Sequence, residues 1–282
     1  MSPPLISVIT VTRNRRLLMM RKLESLARQT VASGLFEVVV CVNGDGQGTL
    51  QALEAADPPF NLLAFAFAEN RGASVGRNAC VRRARGHLLY LSDDDCMLRP
   101  ETLACHLEVQ REAPGVYQGG VRFHQEGGGW EDLLPGRRLR YWNFHGVNTS
   151  LPGDLFRVAG GFPEWLSTYG HEDVLLGFHL ERAGHRLRPL RGAEIDHVGS
   201  NPVSAGDRNK ARSAGSNAAK IAVRFPEMAF QLGVHPWLLA IKKLLLGPLV
   251  GGVLAHIDPG RVAYERAYLT GALEQRGELN HD

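Results

Sequence analysis

The sequence predicts an α/β fold, a mostly parallel sheet flanked by helices, with a helical C-terminal region after it. Three observations carry this. Apolar, β-branched runs alternate with helix-length stretches up to Leu91, as strands joined by crossover helices do. Each apolar run ends in polar residues, so four strand ends would converge on one crevice beyond the carboxyl edge of the sheet, where parallel sheets bind ligands. The last quarter then changes texture, with basic polar residues followed by long apolar and amphipathic stretches.

Leu5 to Val11 (LISVITV) reads as a strand buried on both faces, with Thr12-Arg13-Asn14-Arg15 at its end. A helix over Leu17 to Gln29 follows, then a second buried strand at Phe36 to Val42 that stops at the turn signal Asn43-Gly44-Asp45-Gly46. Gln47 to Ala56 reads as a helix broken by Asp57-Pro58-Pro59, and Leu62 to Ala68 as the third strand. Asn70-Arg71-Gly72-Ala73 opens a helix over Ser74 to Arg85, and Leu88 to Leu91 is the fourth strand. No GxGxxG follows the first strand, so a dinucleotide fingerprint is absent.

The fourth strand runs into Ser92-Asp93-Asp94-Asp95-Cys96. Three like charges beside a buried strand repel, and either a proton or a divalent cation relieves them. A solvated loop capping the next helix is the plainer alternative. Glu101 to Glu112 is the next helix, and the glycine- and arginine-rich Gly115 to Arg140 reads as strand and loop. Asn143 to Ser150 (NFHGVNTS) reads as a strand returning to the site, Pro152 to Ala159 as a short helix, and Gly160 to Pro163 as a turn. Tyr169-Gly170-His171-Glu172-Asp173 opens a helix to Ala183, with strand candidates at Leu187 to Leu190 and Ala193 to His197.

Asn201 to Arg212 reads as loop, and Val262 to Gln275 as a closing amphipathic helix. Between them, Trp237 to Ile257 is long enough for a bilayer span, but Lys242 and Lys243 lie within it and Pro248 breaks it. A buried helix or a homodimer contact fits best, with a peripheral membrane contact next.

At 282 residues the chain holds one large domain or a domain with an appendage, and 44% hydrophobic residues suffice for a core. A net charge of +3 without a basic stripe gives no ground for nucleic-acid binding. The four cysteines form no CxxC pair, which favours reduced thiols and a cytoplasmic protein. Met1 to Pro4 leads directly into a strand, so no signal peptide is expected.

With ISVITVTRNR, ENRGASVGRN, LLYLSDDD, GGF and YGHEDVLLGFHLERAG in this order, the chain resembles the family 2 nucleotide-sugar glycosyltransferases of GT-A fold. Its later segment is also similar to the β-galactosyltransferase-like enzymes. The resemblance implies a GT-A catalytic domain over 1–200, with 1–100 binding the nucleotide sugar and 101–200 the acceptor. Residues 201–282 are then a helical extension.

It further implies a Mn²⁺ or Mg²⁺ cofactor on Asp95, with Asp93 on the metal's water shell or the donor ribose and His197 completing the site. Imidazole suits such ions, though a histidine packed at a strand end is the alternative. Asp173 is implied as the base of an inverting transfer, with Glu172 holding acceptor hydroxyls; acids at a helix N-terminus also complement its dipole. Trp165 and Tyr169 join Glu172 on the acceptor side, because aromatic rings pack on sugar C–H faces.

Thr10, Thr12, Arg13, Asn43, Asp45, Arg77, Asn78 and Asp93 are the donor-side candidates. Val42 stands where the family commonly has a base-reading carboxylate, so the base of the donor stays open; His179 stands where it often has arginine, which bears on packing behind the Glu172-Asp173 pair. The expected partners are a nucleotide-diphosphate sugar, most simply a UDP-sugar, and a glycan or glycolipid acceptor. A sugar nucleotidyltransferase and a non-catalytic nucleotide-sugar-binding membrane protein are the alternatives. The first ordinarily carries a glycine-rich loop after its first strand, which Thr12 to Arg15 lacks.

Overall fold

The structure is a computed structural model that describes residues 4–44, 48–124, 130–133, 138–198 and 207–279. The chain divides into two compact units. The first comprises Met1–Ser167 and Asp173–Gly199, and the second Thr168–Glu172 and Ser200–Asp282.

In the first unit, β1 (Ile6–Thr12), β2 (Phe36–Asn43), β3 (Asn61–Phe67) and β4 (Leu88–Leu91) alternate with α1 (Arg16–Ala27), α2 (Thr49–Glu54) and α3 (Ala73–Arg83). After β5 (Cys96–Leu98) come α4 (Thr102–Glu112), β6 (Val116–Gln118), β7 (Val121–His124) and β8 (Trp130–Leu133). Then follow β9 (Thr149–Pro152), α5 (Gly153–Val158), α6 (Glu172–Arg182), β10 (Leu187–Pro189) and β11 (Ile195–His197).

The main sheet has the order β10-β6-β9-β4-β1-β2-β3. β1 pairs in parallel with β2 and β4, and β2 with β3, as the alternation predicts. β9 lies between β4 and β6 and runs antiparallel to both. Every residue of β2 and β4 is buried, which explains their unbroken apolar character. At the end of β1, Asn14 takes a left-handed φ of 54°, a conformation asparagine tolerates better than most residues, and the strand gives way to α1.

A smaller sheet, β5-β11-β7-β8, sets His197 opposite Cys96 in an antiparallel pair. The first segment after the aspartate triplet is therefore a strand, which the sequence pattern did not reveal.

Several expectations need correcting. The stretch from Asn143 is not one strand: Tyr141–Asn143 forms a 3-10 turn and only Thr149–Pro152 is β. The helix expected over Gln47 to Ala56 is trimmed to Thr49–Glu54. The loop expected through Arg212 ends at Asp207, whose side chain caps α7 (Arg208–Arg224) by accepting from the Lys210 amide at 3.0 Å. Residues 201–206, Asp45 and the Gly127-Gly128-Gly129 run lie outside the described residues.

The second unit contains α7, α8 (Pro236–Leu245), α9 (Pro248–Ile257) and α10 (Pro259–Leu279). α7 and α10 cross closely at Gly215 and Gly271. A Cβ on the first would overlap the Tyr268 carbonyl, and on the second the Arg212 carbonyl. Of the readings offered for 237–257, the ordinary buried helix fails. The chain breaks at Gly247, beside the Pro248 that the sequence marks as a breaker, and most of its apolar side chains are exposed.

The same unit takes in Thr168–Glu172, which the expected boundary near residue 200 assigned to the catalytic domain. Buried Asn217 of α7 accepts from the Thr168 hydroxyl at 3.1 Å and turns its amide toward the carbonyls of Thr168, Tyr169 and Gly170. Ser213 donates to the Tyr169 carbonyl at 2.7 Å.

Candidate active site

The site of the first unit forms where β1 and β4 end. Buried Thr10 donates to the Ser92 carbonyl at 3.0 Å, and Thr12 to Asp94 Oδ2 at 2.7 Å. These bonds tie the first strand end to the aspartate triplet.

The three aspartates have different surroundings. Asp94 faces inward, accepting from Thr12 and from Arg15 Nη1 at 3.1 Å. Burial and the neighbouring Asp95 charge push its carboxyl up to about 6, against the pull of Thr12 and Arg15. Asp93 accepts from Arg77 Nη2 at 2.7 Å. Burial works to raise Asp93, but Arg77, with His197 and Lys22 behind it, holds the carboxyl below its ordinary range. Asp95 accepts from Arg15 Nη1 at 2.6 Å through Oδ2, and its Oδ1 lies 3.3 Å from His197 Nε2.

The ligand atoms of Asp95, Cys96 and His197 all lie within 4.8 Å of one another. Two of the three suit an ion such as Mn²⁺: a carboxylate oxygen and an imidazole nitrogen. Cys96 does not. Its thiol is fully buried, and burial with the adjacent aspartate charges pushes its pKa well up, so it stays protonated. His197 stacks on Phe123 with ring centroids 4.7 Å apart. Asp93, expected to share the metal, is not part of this cluster.

Lys22 is fully buried behind the triplet, donating to Ser92 Oγ at 2.7 Å and to the Cys96 carbonyl at 3.0 Å. Burial lowers its pKa, while Cys96 and the three aspartates work to raise it. Sequence reasoning missed Lys22 because RLLMMRKLESLA reads as an ordinary amphipathic helix with its lysine in water.

Arg77 is the second hub. Besides bonding Asp93, its Nη1 lies 3.7 Å from Asp173 Oδ1, and its guanidinium covers the Phe162 ring at 5.1 Å. Asp173 Oδ2 in turn accepts from the Gly146 amide at 3.0 Å. Asn78 grips the turn that supplies Phe162: it accepts from the Phe162 amide at 3.0 Å and donates to the Phe162 carbonyl and to Glu164, each at 2.9 Å.

Asn43 donates to Asn70 Oδ1 at 2.8 Å and to the Gly72 carbonyl at 3.1 Å, and accepts from the Arg71 amide at 2.8 Å. Of the donor-side candidates, then, Thr10, Thr12, Asn43 and Asn78 use their side chains to build the crevice. Arg13 is exposed, and Arg77 and Asp93 line the same acidic cluster. His145, one residue before Gly146, is a further residue that sequence reasoning passed over. Burial pushes it down to about 4 despite the nearby Asp93 charge, and its Nδ1 has no hydrogen-bond partner among the described residues. Trp165 of the first unit is 40% exposed, enough to offer a ring face to a ligand.

In the second unit, Tyr169 is exposed and Glu172 Oε2 accepts from the Gly170 amide at 3.0 Å. Gly170 (φ 111°) and His171 (φ 67°) both sit in left-handed backbone, and a Cβ at Gly170 would strike Ala214 at 2.6 Å. His171 Nε2 donates to the Tyr268 hydroxyl at 2.9 Å, which itself donates a hydrogen bond to the Leu232 carbonyl at 2.7 Å.

Comparison with known proteins now adds to this geometry. Residues 7–163 match the family model described as Glycosyl transferase family 2. The chain is 27% identical over 237 residues to validoxylamine A glucosyltransferase of Streptomyces hygroscopicus subsp. jinggangensis, covering 69% of this chain and 56% of that one. It is 36% identical over 86 residues to the uncharacterized glycosyltransferase YfnE of Bacillus subtilis, covering 30% and 22%. The chain thus spans between about a fifth and about half of the length of these curated relatives.

Among solved structures it is similar to the mannosyltransferase PcManGT of Pyrobaculum calidifontis in complex with GDP-Man and Mn²⁺. There the TM-score is 0.70 and the identity 19%, with 98% of this chain and 88% of that one covered. It is also similar to S. aureus TarS 1-349 in complex with UDP-GlcNAc, with a TM-score of 0.59, 18% identity, and 97% and 92% covered. At these identities the likeness is one of fold.

Proposed function

Because the chain belongs to glycosyl transferase family 2, we propose that it transfers a hexose from a nucleotide-diphosphate sugar, most simply a UDP-sugar, to a hydroxyl of a glycan or glycolipid, with inversion at the anomeric carbon. The observation that carries this reading is the Arg77 guanidinium, which bonds Asp93 on one side and approaches Asp173 on the other. The carboxylate suited to the donor and the carboxylate suited to the acceptor thereby share one positioning cation.

In this reading Asp95 and His197 would hold a Mn²⁺, whose charge would offset that of the leaving diphosphate. PcManGT, in complex with GDP-Man and Mn²⁺, is consistent with that choice of ion. Asp173, fixed through Oδ2 by the Gly146 amide, takes the proton of the acceptor hydroxyl. The acceptor oxygen bonds the anomeric carbon while the bond to the diphosphate oxygen breaks, its electron pair leaving with the diphosphate. Arg13 and Asp93 contact the nucleotide, Asp94 holds the loop, and Glu172, Trp165 and Tyr169 bind the acceptor sugar.

Donor binding and turnover separate the roles. Asp95→Ala removes the Mn²⁺-dependent rise in melting temperature that a nucleotide sugar gives. Asp173→Asn keeps that rise and lowers turnover by about 10²–10⁴-fold. Transfer by Asp173→Asn at the wild-type rate would show that another group takes the proton, and a product of retained anomeric configuration would overturn the inverting mechanism.

A further inference from the structure

Helices α8 and α9 turn apolar stripes outward. Trp237, Ile241 and Leu244 recur at helical spacing on α8, and Val250, Val253 and Ile257 on α9. All six are exposed, with Trp237 at 77%, Leu244 at 73% and Ile257 at 79%. The opposite face of α8 carries buried Leu239, and Lys242 of the same helix pairs with Glu265 at 2.8 Å. The amphipathic pattern is therefore the inverse of one that closes a core. Exposed apolar surface of this kind marks an interaction site.

Its chemistry selects the occupant. Residues 228–257 contain no Asp or Glu, while Lys242, Lys243, His235 and His256 all fall within them. Lys243 is exposed beside the α8 stripe. A twofold contact between copies of this face would set two patches of the same sign against each other, with no acid from this stretch on either side to answer Lys243. An anionic lipid surface supplies both the apolar medium and the counter-charge.

Length decides between lying on the surface and crossing it. Each helix has ten residues, or about 15 Å, against a hydrocarbon core of about 30 Å. No single helix among the described residues is long and apolar enough to cross a membrane, and α8 and α9 bend by 78° across Gly247.

We propose that α8 and α9 form an interfacial anchor, laying their outward stripes into the headgroup–acyl boundary of a bilayer that contains anionic lipid. Trp237 sits at the depth where aromatic rings are enriched, and Lys243 meets the headgroups. This is independent of the transfer chemistry, since vesicle binding is read without any donor or acceptor.

The test is co-sedimentation of the full 282-residue chain with vesicles of phosphatidylcholine, with and without phosphatidylglycerol. The wild type binds the anionic vesicles, and brominated acyl chains quench a tryptophan signal that Trp237→Phe abolishes. The double variant Leu244→Glu/Val253→Glu changes only side chains more than half exposed, and its fold is checked by circular dichroism. It loses about tenfold or more in binding. Lys243→Gln loses about fivefold on anionic vesicles and little on zwitterionic ones. Failure of the wild type to bind anionic vesicles, or equal binding by the folded double variant, overturns the proposal. So does a vesicle-free dimer that the double variant converts to monomer, which would assign the face to self-association.

Discussion

Replacing Lys22 by methionine tests how the aspartate triplet is tolerated at the end of a buried strand. The substitution keeps the length of the side chain and removes an ammonium bonded to the residue before the triplet and to the residue after it. Two hydrogen bonds to a charged donor are lost, each of about 1.5–3 kcal/mol. Part of that is offset because the fold no longer desolvates an ammonium, a cost visible in the depressed pKa of Lys22. A net loss of about 3 kcal/mol is expected near neutral pH, at the lower end for breaking a buried charge interaction.

The loss has a pH signature. The Asp94 carboxyl is pushed up to about 6 in the fold, from an ordinary 3.8. A carboxyl whose folded pKa is raised weakens the fold when ionised; that penalty is fully present above the folded pKa and is relieved as pH falls through it. Without Lys22 the triplet repels itself more strongly. The Lys22→Met deficit is therefore expected to shrink by about 1 kcal/mol between about pH 7.5 and about pH 5. Urea unfolding of both proteins at the two pH values, followed by tryptophan fluorescence, measures it, and titrations common to both cancel in the difference. A deficit that stays constant or grows toward acid would mean that Lys22 acts through packing, not charge.

Two further outcomes follow from the same geometry. Arg77→Met removes the cation between Asp93 and Asp173, and kcat/KM should fall by about tenfold to a hundredfold, with KM for the donor rising; unchanged donor KM would place Arg77 outside donor binding. His106 is fully buried with Nε2 donating to Asn148 Oδ1 at 3.0 Å and Nδ1 accepting from the Ser150 hydroxyl at 2.8 Å, which fixes a neutral ring. Burial lowers it from 6.5 to about 4. The unfolded chain takes the proton first, so stability is lost as pH falls from the unfolded value toward the folded one. That loss is about 2 kcal/mol between pH 7 and pH 5, and His106→Gln should flatten it in urea titrations.

Much of the first unit could be read from residues alone. β1, β2 and β4 are buried on both faces, so their apolar runs are continuous and their polar ends stand out. The acidic triplet stood out for the same reason, since charge next to a buried run needs an explanation, whereas the Glu172-Asp173 pair was singled out only through the family resemblance. β9 was not legible as drawn, because Thr149–Pro152 is four residues whose pairing partners lie far away in the chain.

Lys22 and Asn217 escaped because a polar residue on a helix looks solvated until packing covers it. What covers the apolar stripes of α8 and α9 stayed open for the converse reason. Periodicity shows that a helix has an apolar face and says nothing about what covers that face.

The antiparallel insertion of β9 has a consequence for how the protein is made. Leu91 of β4 pairs with Thr149 of β9, so one edge of the parallel β4-β1-β2-β3 group stays open until a much later part of the chain has been synthesised. At translation rates of about 5–20 residues per second, the interval from Leu91 to Thr149 lasts roughly 3–12 s. During it a fully apolar strand, Leu88–Leu91, presents unpaired backbone on the ribosome. Residues 1–100 and 101–200 are therefore not separable modules. A fragment ending near residue 100 would expose that edge permanently and should aggregate, whereas one extended past Pro152 supplies the strand that covers it.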